Sequence, residues 1–308
     1  MRLVTYLATD GERIGAVLGN AIVDLQHWGR QAGADVPPTM LQLIDEGDTG
    51  LRAARAALAA APKSAEAGSA GIVALHGARL LSPIPNPRRN IICLGRNYLE
   101  HARESASARG AAAAPPAHPV YFTKATTAIN GPYDPIPYDA SVSTEIDWEV
   151  ELGVIIGRQG KHIPEDRALD HVFGYTVIND VTARDLQNRH MQWFLGKSFD
   201  GSCPMGPWIV TADELHDPHN LHISLRVNGV TKQDSNTSKL IFNINTCLSV
   251  LSRGTTLLAG DIIATGTPEG VRFARKPPEF LKPRDVVESE IDGIGTLRNT
   301  MEDVSGQK

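Results

Sequence analysis

In the segment Asp147-Trp148-Glu149-Val150-Glu151-Leu152-Gly153-Val154-Ile155-Ile156, acidic and apolar residues alternate before the run turns wholly apolar. A period of two is a strand, and it sets Glu149 and Glu151 on one face with Cα atoms about 6.5 to 7 Å apart. Side-by-side carboxylates repel, so on a buried face one must hold a proton unless a cation neutralises the pair. The competing reading is a strand edge that turns two glutamates to solvent. A second segment weighs against it. Tyr175-Thr176-Val177-Ile178-Asn179-Asp180-Val181-Thr182-Ala183-Arg184-Asp185 reads as an apolar strand ending in a carboxylate, followed by a helix start. A buried Asp180 without a partner is costly, and a shared cation is its natural partner. Glu149, Glu151 and Asp180 are therefore candidate ligands of a hard dication, Mg²⁺ or Mn²⁺, with Ca²⁺ a further candidate.

The 308 residues, 42% of them hydrophobic, suffice for a large core and a small additional domain. The net charge of -5 and the lack of a basic stripe argue against nucleic acid as a partner. No apolar run approaches the ~20 residues of a membrane span. Met1 to Tyr6 enters a strand pattern directly, so no signal peptide is expected. Cys93, Cys203 and Cys247 match no zinc or disulfide spacing and read as reduced thiols of a cytoplasmic protein.

The expected organisation is a small N-terminal α+β domain over residues 1–80 and a sheet-rich catalytic domain over 81–308. Leu3 to Leu7, Ile14 to Leu18 and Ala21 to Leu25, separated by Asp10-Gly11 and Gly19-Asn20, predict an antiparallel meander. Met40 to Glu46 and Leu51 to Ala60 predict surface helices, and 62–71 a linker. The prolines of Leu81-Ser82-Pro83-Ile84-Pro85-Asn86-Pro87 mark the boundary. Beyond it, short strands dominate. Residues 105–119, dense in Ala and Pro, predict a mobile insertion near the site.

In Cys93-Leu94-Gly95-Arg96-Asn97-Tyr98-Leu99-Glu100-His101-Ala102-Arg103-Glu104, a helical turn makes His101 and Glu104 neighbours. A carboxylate beside an imidazole raises its basicity, which suits a general base that activates water, although such pairs are also common surface ion pairs.

Taken in order, these segments resemble the fumarylacetoacetate hydrolase family: Gly95-Arg96-Asn97-Tyr98 with His101 and Glu104, Asp147 to Leu152, Asn179 to Gln187, Gly196-Lys197-Ser198-Phe199-Asp200, and Thr265-Gly266-Thr267-Pro268-Glu269-Gly270. The resemblance spans roughly residues 83–300. It implies a mixed β-roll core, Mg²⁺ or Mn²⁺, 2-oxo-acid or 1,3-dicarbonyl substrates and a homodimer. It makes Glu149, Glu151 and Asp180 the metal ligands, His101 and Glu104 the water-activating pair on a lid, and Lys197 the cation that stabilises a developing enolate. It places Arg96, Tyr98, Gln187 and Thr267 at the substrate. Arg184 is expected to support a ligand by pairing with Asp180 or Asp185.

The chain also departs from the family pattern. Arg272 stands where members often carry glycine, Arg284 falls at an expected turn glycine, and no fourth acidic ligand occurs near Leu94. The histidines His216, His219 and His222 straddle Pro218 and read as a polar loop rather than a metal box.

The primary expectation is metal-assisted hydrolysis of a carbon–carbon bond in an acylpyruvate-like diketo acid. The alternative keeps the site but decarboxylates an oxaloacetate-like 2-oxo acid or isomerises a hydroxymuconate-type one. A non-catalytic metal-binding scaffold is the reading from a different class.

Overall fold

The computed structural model describes residues 1–62, 68–108, 115–271 and 278–306, with only the backbone at 105–108. Arg272, Lys276 and Pro277 lie outside the described residues, as do parts of the expected linker and insertion.

The N-terminal meander forms as expected, from β1 (Arg2–Ala8), β2 (Gly11–Leu18) and β3 (Ala21–Asp24). Leu25 is not in the third strand, because Asp24 caps a helix instead, α1 (Leu25–Ala32), its carboxylate accepting the His27 N–H at 2.7 Å. Only Leu25 and Gly29 of that helix are buried, too sparse a pattern for periodicity to find. The two expected helices follow as α2 (Met40–Asp45) and α3 (Asp48–Ala60), and β4 (Ile72–Ala74) pairs back onto β3.

The later strands are β5 (Ile91–Gly95), β6 (Val120–Lys124), β7 (Val150–Ile156), β8 (Val172–Asn179), β9 (Cys203–Thr211), β10 (His222–Val227), β11 (Val230–Asn236), β12 (Ile262–Ala264), β13 (Val286–Ile291) and β14 (Gly295–Asp303). The helices among them are α4 (Leu99–Ala108), α5 (Arg184–Arg189), α6 (Phe194–Lys197) and α7 (Ile244–Ser252). Residues 105–108 continue α4 rather than starting an irregular insertion. Alanine and serine at these positions are compatible with helix.

The main sheet runs β4-β3-β2-β1-β9-β8-β7-β12-β5-β6, and along this path only β12 and β5 are parallel; Ile129 and Asn130 add a short parallel pairing at the start of β9. A second sheet runs β11-β10-β13-β14. The fold is thus a sheet-rich α/β arrangement with mixed sheets, as expected. All seven residues of β7 are buried. Val150, Leu152, Val154 and Ile156 pack with Ile223, Leu225, Val287 and Leu297 of the second sheet. Ile155, on the other face, joins Leu43, Ile44 and Ala54 of the N-terminal helices. That same core unites Leu3 and Ile14 with Ile91, Met205 and Ile262, so the first eighty residues extend the sheet and its interior. The acidic face of β7 therefore looks into protein, not solvent.

Candidate metal and catalytic site

Strand register assembles the acidic trio. Val150 pairs with Asn179 and Glu151 with Ile178, and the next rung is the Asp180 N–H donating to the Glu149 carbonyl at 2.8 Å. Glu149 and Glu151 share a face by alternation, and Asp180 arrives beside them from the neighbouring strand. A ligand oxygen from each lies within 4.8 Å of the others, and all three residues are buried.

Among the described residues, three cations surround this cluster. Lys197, at the end of α6, donates to Glu149 Oε2 at 2.7 Å and Asp180 Oδ2 at 2.6 Å. Lys124, at the end of β6 and fully buried, is 2.8 Å from Asp180 Oδ1 and donates to the Val181 carbonyl. Arg184 contacts Glu149 Oε1 at 2.6 Å and Asp147 Oδ2 at 2.7 Å. This corrects the expected pairing of Arg184 with Asp180 or Asp185. The short strand pairing that sets Asp147 opposite Thr182 brings Asp147 to the start of α5, while Asp180 is taken by the lysines and Asp185 accepts from Ser143. Arg184 also donates to Gln187 Oε1 at 3.1 Å.

The electrostatics separate the two glutamates. Burial alone would raise Glu149, but Lys197 and Arg184 outweigh it and hold its carboxyl at about 2. Glu151 moves the other way: burial, then the charges of Asp180 and Glu149, push its carboxyl well above the ordinary range. Its Oε2 accepts the Gly266 N–H at 2.7 Å, a weak offset to the charge. Lys197 is raised despite its burial, because Asp180 and Glu149 favour the ammonium. Three converging buried carboxylates, the charge of one of them disfavoured by its neighbours, are the donor set of a hard dication, and the residues fit such an ion.

A narrow cleft of about 30 Å³ opens on this cluster. Its walls include Arg96, His101, Phe122, Gln187, Trp193 and Thr267. His101 is 6% exposed, and burial depresses its imidazole to about 4, so it is neutral at pH 7. Its Nδ1 is 4.0 Å from Glu104 Oε2, beyond hydrogen-bond range. Glu104 instead accepts the Gly270 N–H at 3.1 Å, so the expected dyad is not closed. The Thr267 hydroxyl donates to the Val150 carbonyl and accepts from Gln233 Nε2, both at 2.9 Å, and its proton is thereby turned from the cleft. Tyr98, expected at the substrate, is fully buried and does not line the cleft; its backbone bridges to Leu240. Arg96, by contrast, sits at the cleft with its guanidinium 6.0 Å from the Trp193 ring.

Sequence reasoning missed Lys124, Trp193 and the organising role of Asn97. Lys124 had a visible signal, a lone lysine closing the apolar strand Val120-Tyr121-Phe122-Thr123. Asn97 donates to the carbonyls of Phe242 and Thr265 and accepts the Phe242 N–H, at 3.0, 2.8 and 2.9 Å. It thereby ties the start of α4 to the loop that presents Gly266 to Glu151. Gly266 has φ +99°, and a Cβ there would press on Asn97. Gly270 has φ +97°, and a Cβ there would overlap the Lys232 carbonyl, so only glycine passes.

A mixed-sheet fold that buries three convergent carboxylates beneath a cleft with a neutral imidazole has the site of an enzyme. The chain belongs to the fumarylacetoacetate hydrolase family, whose C-terminal domain matches residues 90–302. It is 44% identical over 264 residues to the oxaloacetate tautomerase YisK of Bacillus subtilis, covering 86% of each chain. Among solved structures it resembles 5-carboxymethyl-2-hydroxymuconate delta-isomerase from Mycobacterium smegmatis, with TM-score 0.72 and 31% identity over 98% of this chain and all of that one. It also resembles maleylpyruvate hydrolase from Sphingobium sp. SYK-6 in complex with manganese(II) and pyruvate, with TM-score 0.75 and 32% identity over 98% of this chain and 99% of that one.

Proposed function

We propose that the protein is a divalent-metal-dependent isomerase that interconverts the enol and keto forms of a small 2-oxo acid of the oxaloacetate type. The observation that carries this reading is the neutral His101 at the cleft with its Nδ1 out of reach of Glu104. An imidazole that is free to take and return a proton suits carbon–oxygen proton transfer. A His101–Glu104 pair drawn together would instead favour activation of water. The similarity to an oxaloacetate tautomerase and to a hydroxymuconate isomerase supports the same choice, and carbon–carbon hydrolysis becomes the second reading, kept by the similarity to maleylpyruvate hydrolase.

In this mechanism Glu149, Glu151 and Asp180 would hold Mg²⁺ or Mn²⁺, and that ion would supply Lewis acidity toward the 2-oxo and carboxylate oxygens. Lys197 lies against two of these carboxylates and adds positive potential where the 2-oxygen gains charge. Arg184 fixes Glu149 and turns Gln187 toward the cleft. In the enol-to-keto direction neutral His101 takes the 2-hydroxyl proton and delivers it to C3, ending neutral again, and the keto-to-enol direction is the reverse; burial keeps it unprotonated at neutral pH between turnovers.

The test is a panel of enol-oxaloacetate, unsaturated 2-oxo diacids and acylpyruvates, assayed with Mg²⁺ or Mn²⁺ and again after chelation. Ketonisation faster than any carbon–carbon cleavage, lost on chelation and restored by metal, is the expected result. Cleavage of an acylpyruvate as the fastest reaction would install the hydrolase reading instead.

A further inference from the structure

We infer that the Trp193 ring is the gate of this site: it closes the cleft in the conformation described above and swings out to admit a ligand. This goes beyond the reaction assigned above and rests on it only in taking the cleft as the way to the metal ligands.

Three observations carry it. First, the cleft is too small for its task. It measures about 30 Å³, whereas sites that hold small molecules span roughly 300 to 1,000 Å³. A 2-oxo acid reaches Glu149 and Glu151 only after a wall has moved.

Second, Trp193 is the wall that can move. Lys197 and Arg184 are tied to Glu149 by buried ion pairs, Arg184 holds Gln187, and Thr267 is bonded to Val150 and Gln233. Trp193 is half-buried and held by ring contacts: it packs edge-on against Phe122 with centroids 5.2 Å apart, and the Arg96 guanidinium lies 6.0 Å from its centre. Its chain neighbours Met191, Gln192, Phe194 and Leu195 are all exposed, so the path outward is open. The backbone on either side is fixed, by the His190 N–H donating to the Leu186 carbonyl and the Lys197 N–H donating to the Trp193 carbonyl, both at 3.1 Å. The ring therefore turns on its own side-chain torsions while Lys197 stays in place.

Third, the closed ring has a seat cut for it. Gly95 ends β5 beneath the indole, where a Cβ would lie 2.5 Å from the Trp193 ring; outside that ring the next atom is Phe122 at 3.8 Å, an ordinary contact. The φ of Gly95 is not left-handed, so its backbone would accept alanine, and the missing side chain serves the ring. A methyl group at this one position would pry the gate open.

The experiment uses Mg²⁺-loaded protein and oxalate, an unreactive chelator. Labelling with 5-fluorotryptophan gives a ¹⁹F signal for each of the four tryptophans, and Trp193→Phe identifies the one at issue. Without oxalate, the Trp193 signal should be broadened by exchange on the microsecond-to-millisecond scale of gating motions, while that of the buried Trp148 stays sharp. Saturating oxalate should shift the Trp193 signal. Gly95→Ala should speed oxalate association about 10-fold or more in stopped-flow fluorescence, because an open state populated at about 0.1 to 10% limits binding in proportion to its population. A free-protein Trp193 signal as sharp as that of Trp148, or association with Gly95→Ala at the wild-type rate, overturns the inference. The wild-type spectrum carries the test by itself if Gly95→Ala does not fold. If oxalate does not bind, the metal-dependent function proposed above is what fails, while exchange of the Trp193 signal in the free protein still decides the gate.

Discussion

Lys197 donates to Glu149 and Asp180 at once, through hydrogen bonds of 2.7 and 2.6 Å, and so joins the ends of two neighbouring strands at the point where their carboxylates converge. Its ammonium offsets charge on two of the three acids. Glu151 is left with a backbone N–H, and that asymmetry sets the first prediction.

Glu151 is raised by burial and by Asp180 and Glu149, so the folded protein holds this proton more tightly than the unfolded chain does. The stability it contributes is fully present below the ordinary carboxyl range and is lost as pH rises through its raised value. The Glu151 contribution to the melting temperature of metal-free protein should therefore shrink as pH rises above about 4.5, and the difference between wild type and a Glu151 variant reports it. Mn²⁺ binding should release a proton and reverse the loss. Glu151→Gln should flatten both the slope and the metal-induced rise. Melting curves with and without chelator check this, and a slope of wild-type size in the variant would refute it.

His101 moves in the opposite sense. Burial lowers its imidazole to about 4, below the ordinary 6.5, so its contribution to stability is present above pH 6.5 and lost as pH falls toward 4. If it is the proton carrier, the acid limb of the rate profile falls near pH 4 rather than near 6.5. His101→Gln should reduce turnover about 10²- to 10⁴-fold and remove that limb. A limb near 6.5 in the wild type would assign the base elsewhere.

Removing Lys197 should cost turnover more than folding, because Lys124 still faces Asp180 and Arg184 still faces Glu149. Lys197→Met is expected to lower kcat by about 10²- to 10³-fold, as for a lost electrostatic stabiliser. Lys124→Met leaves Lys197 against Asp180 and should destabilise metal-free protein by about 1 to 3 kcal/mol, with a smaller loss of kcat than Lys197→Met. Urea titration and steady-state kinetics on both variants would expose the reverse pattern if the roles are exchanged.

Asn97→Ala leaves the Phe242 N–H and two carbonyls without their side-chain partner, and should cost about 2 to 4 kcal/mol. Because Asn97 connects α4 to the turn at Gly266, Mn²⁺ affinity should fall as well. Calorimetric titration of Mn²⁺ into the variant at a temperature where it remains folded tests that coupling; unchanged affinity would reduce Asn97 to a fold element.

The alternation around Glu149 and the carboxylate ending the next strand were legible in the sequence because period-two geometry and the cost of buried charge are local rules. The resemblance added the order of the segments. Partnerships made across the sheet were not legible. Arg184 was assigned to Asp180 or Asp185 by proximity along the chain, whereas its partners come from the Asp147 region, brought in by a two-residue strand pairing with no periodic signal. His101 and Glu104 were legible as neighbours on a helix. Helical spacing does not say that Glu104 would turn to the Gly270 N–H. Tyr98 follows Arg96 by two residues, yet the left-handed turn at Arg96 accompanies a change of environment from the cleft to the interior. Arg284, at an expected turn glycine, does occupy a left-handed position, with φ +76°.

The Asp180 N–H bond to the Glu149 carbonyl locks the register of two strands buried on every side. A slip of one position would swing both glutamates into the opposite, hydrocarbon layer and leave the lysines facing nothing. No path of single tolerable substitutions can therefore slide or reshape the acidic centre. Substitutions at the rim, where Arg96 and Trp193 sit, leave that register untouched, so the cleft can be reshaped there without moving the acids beneath it.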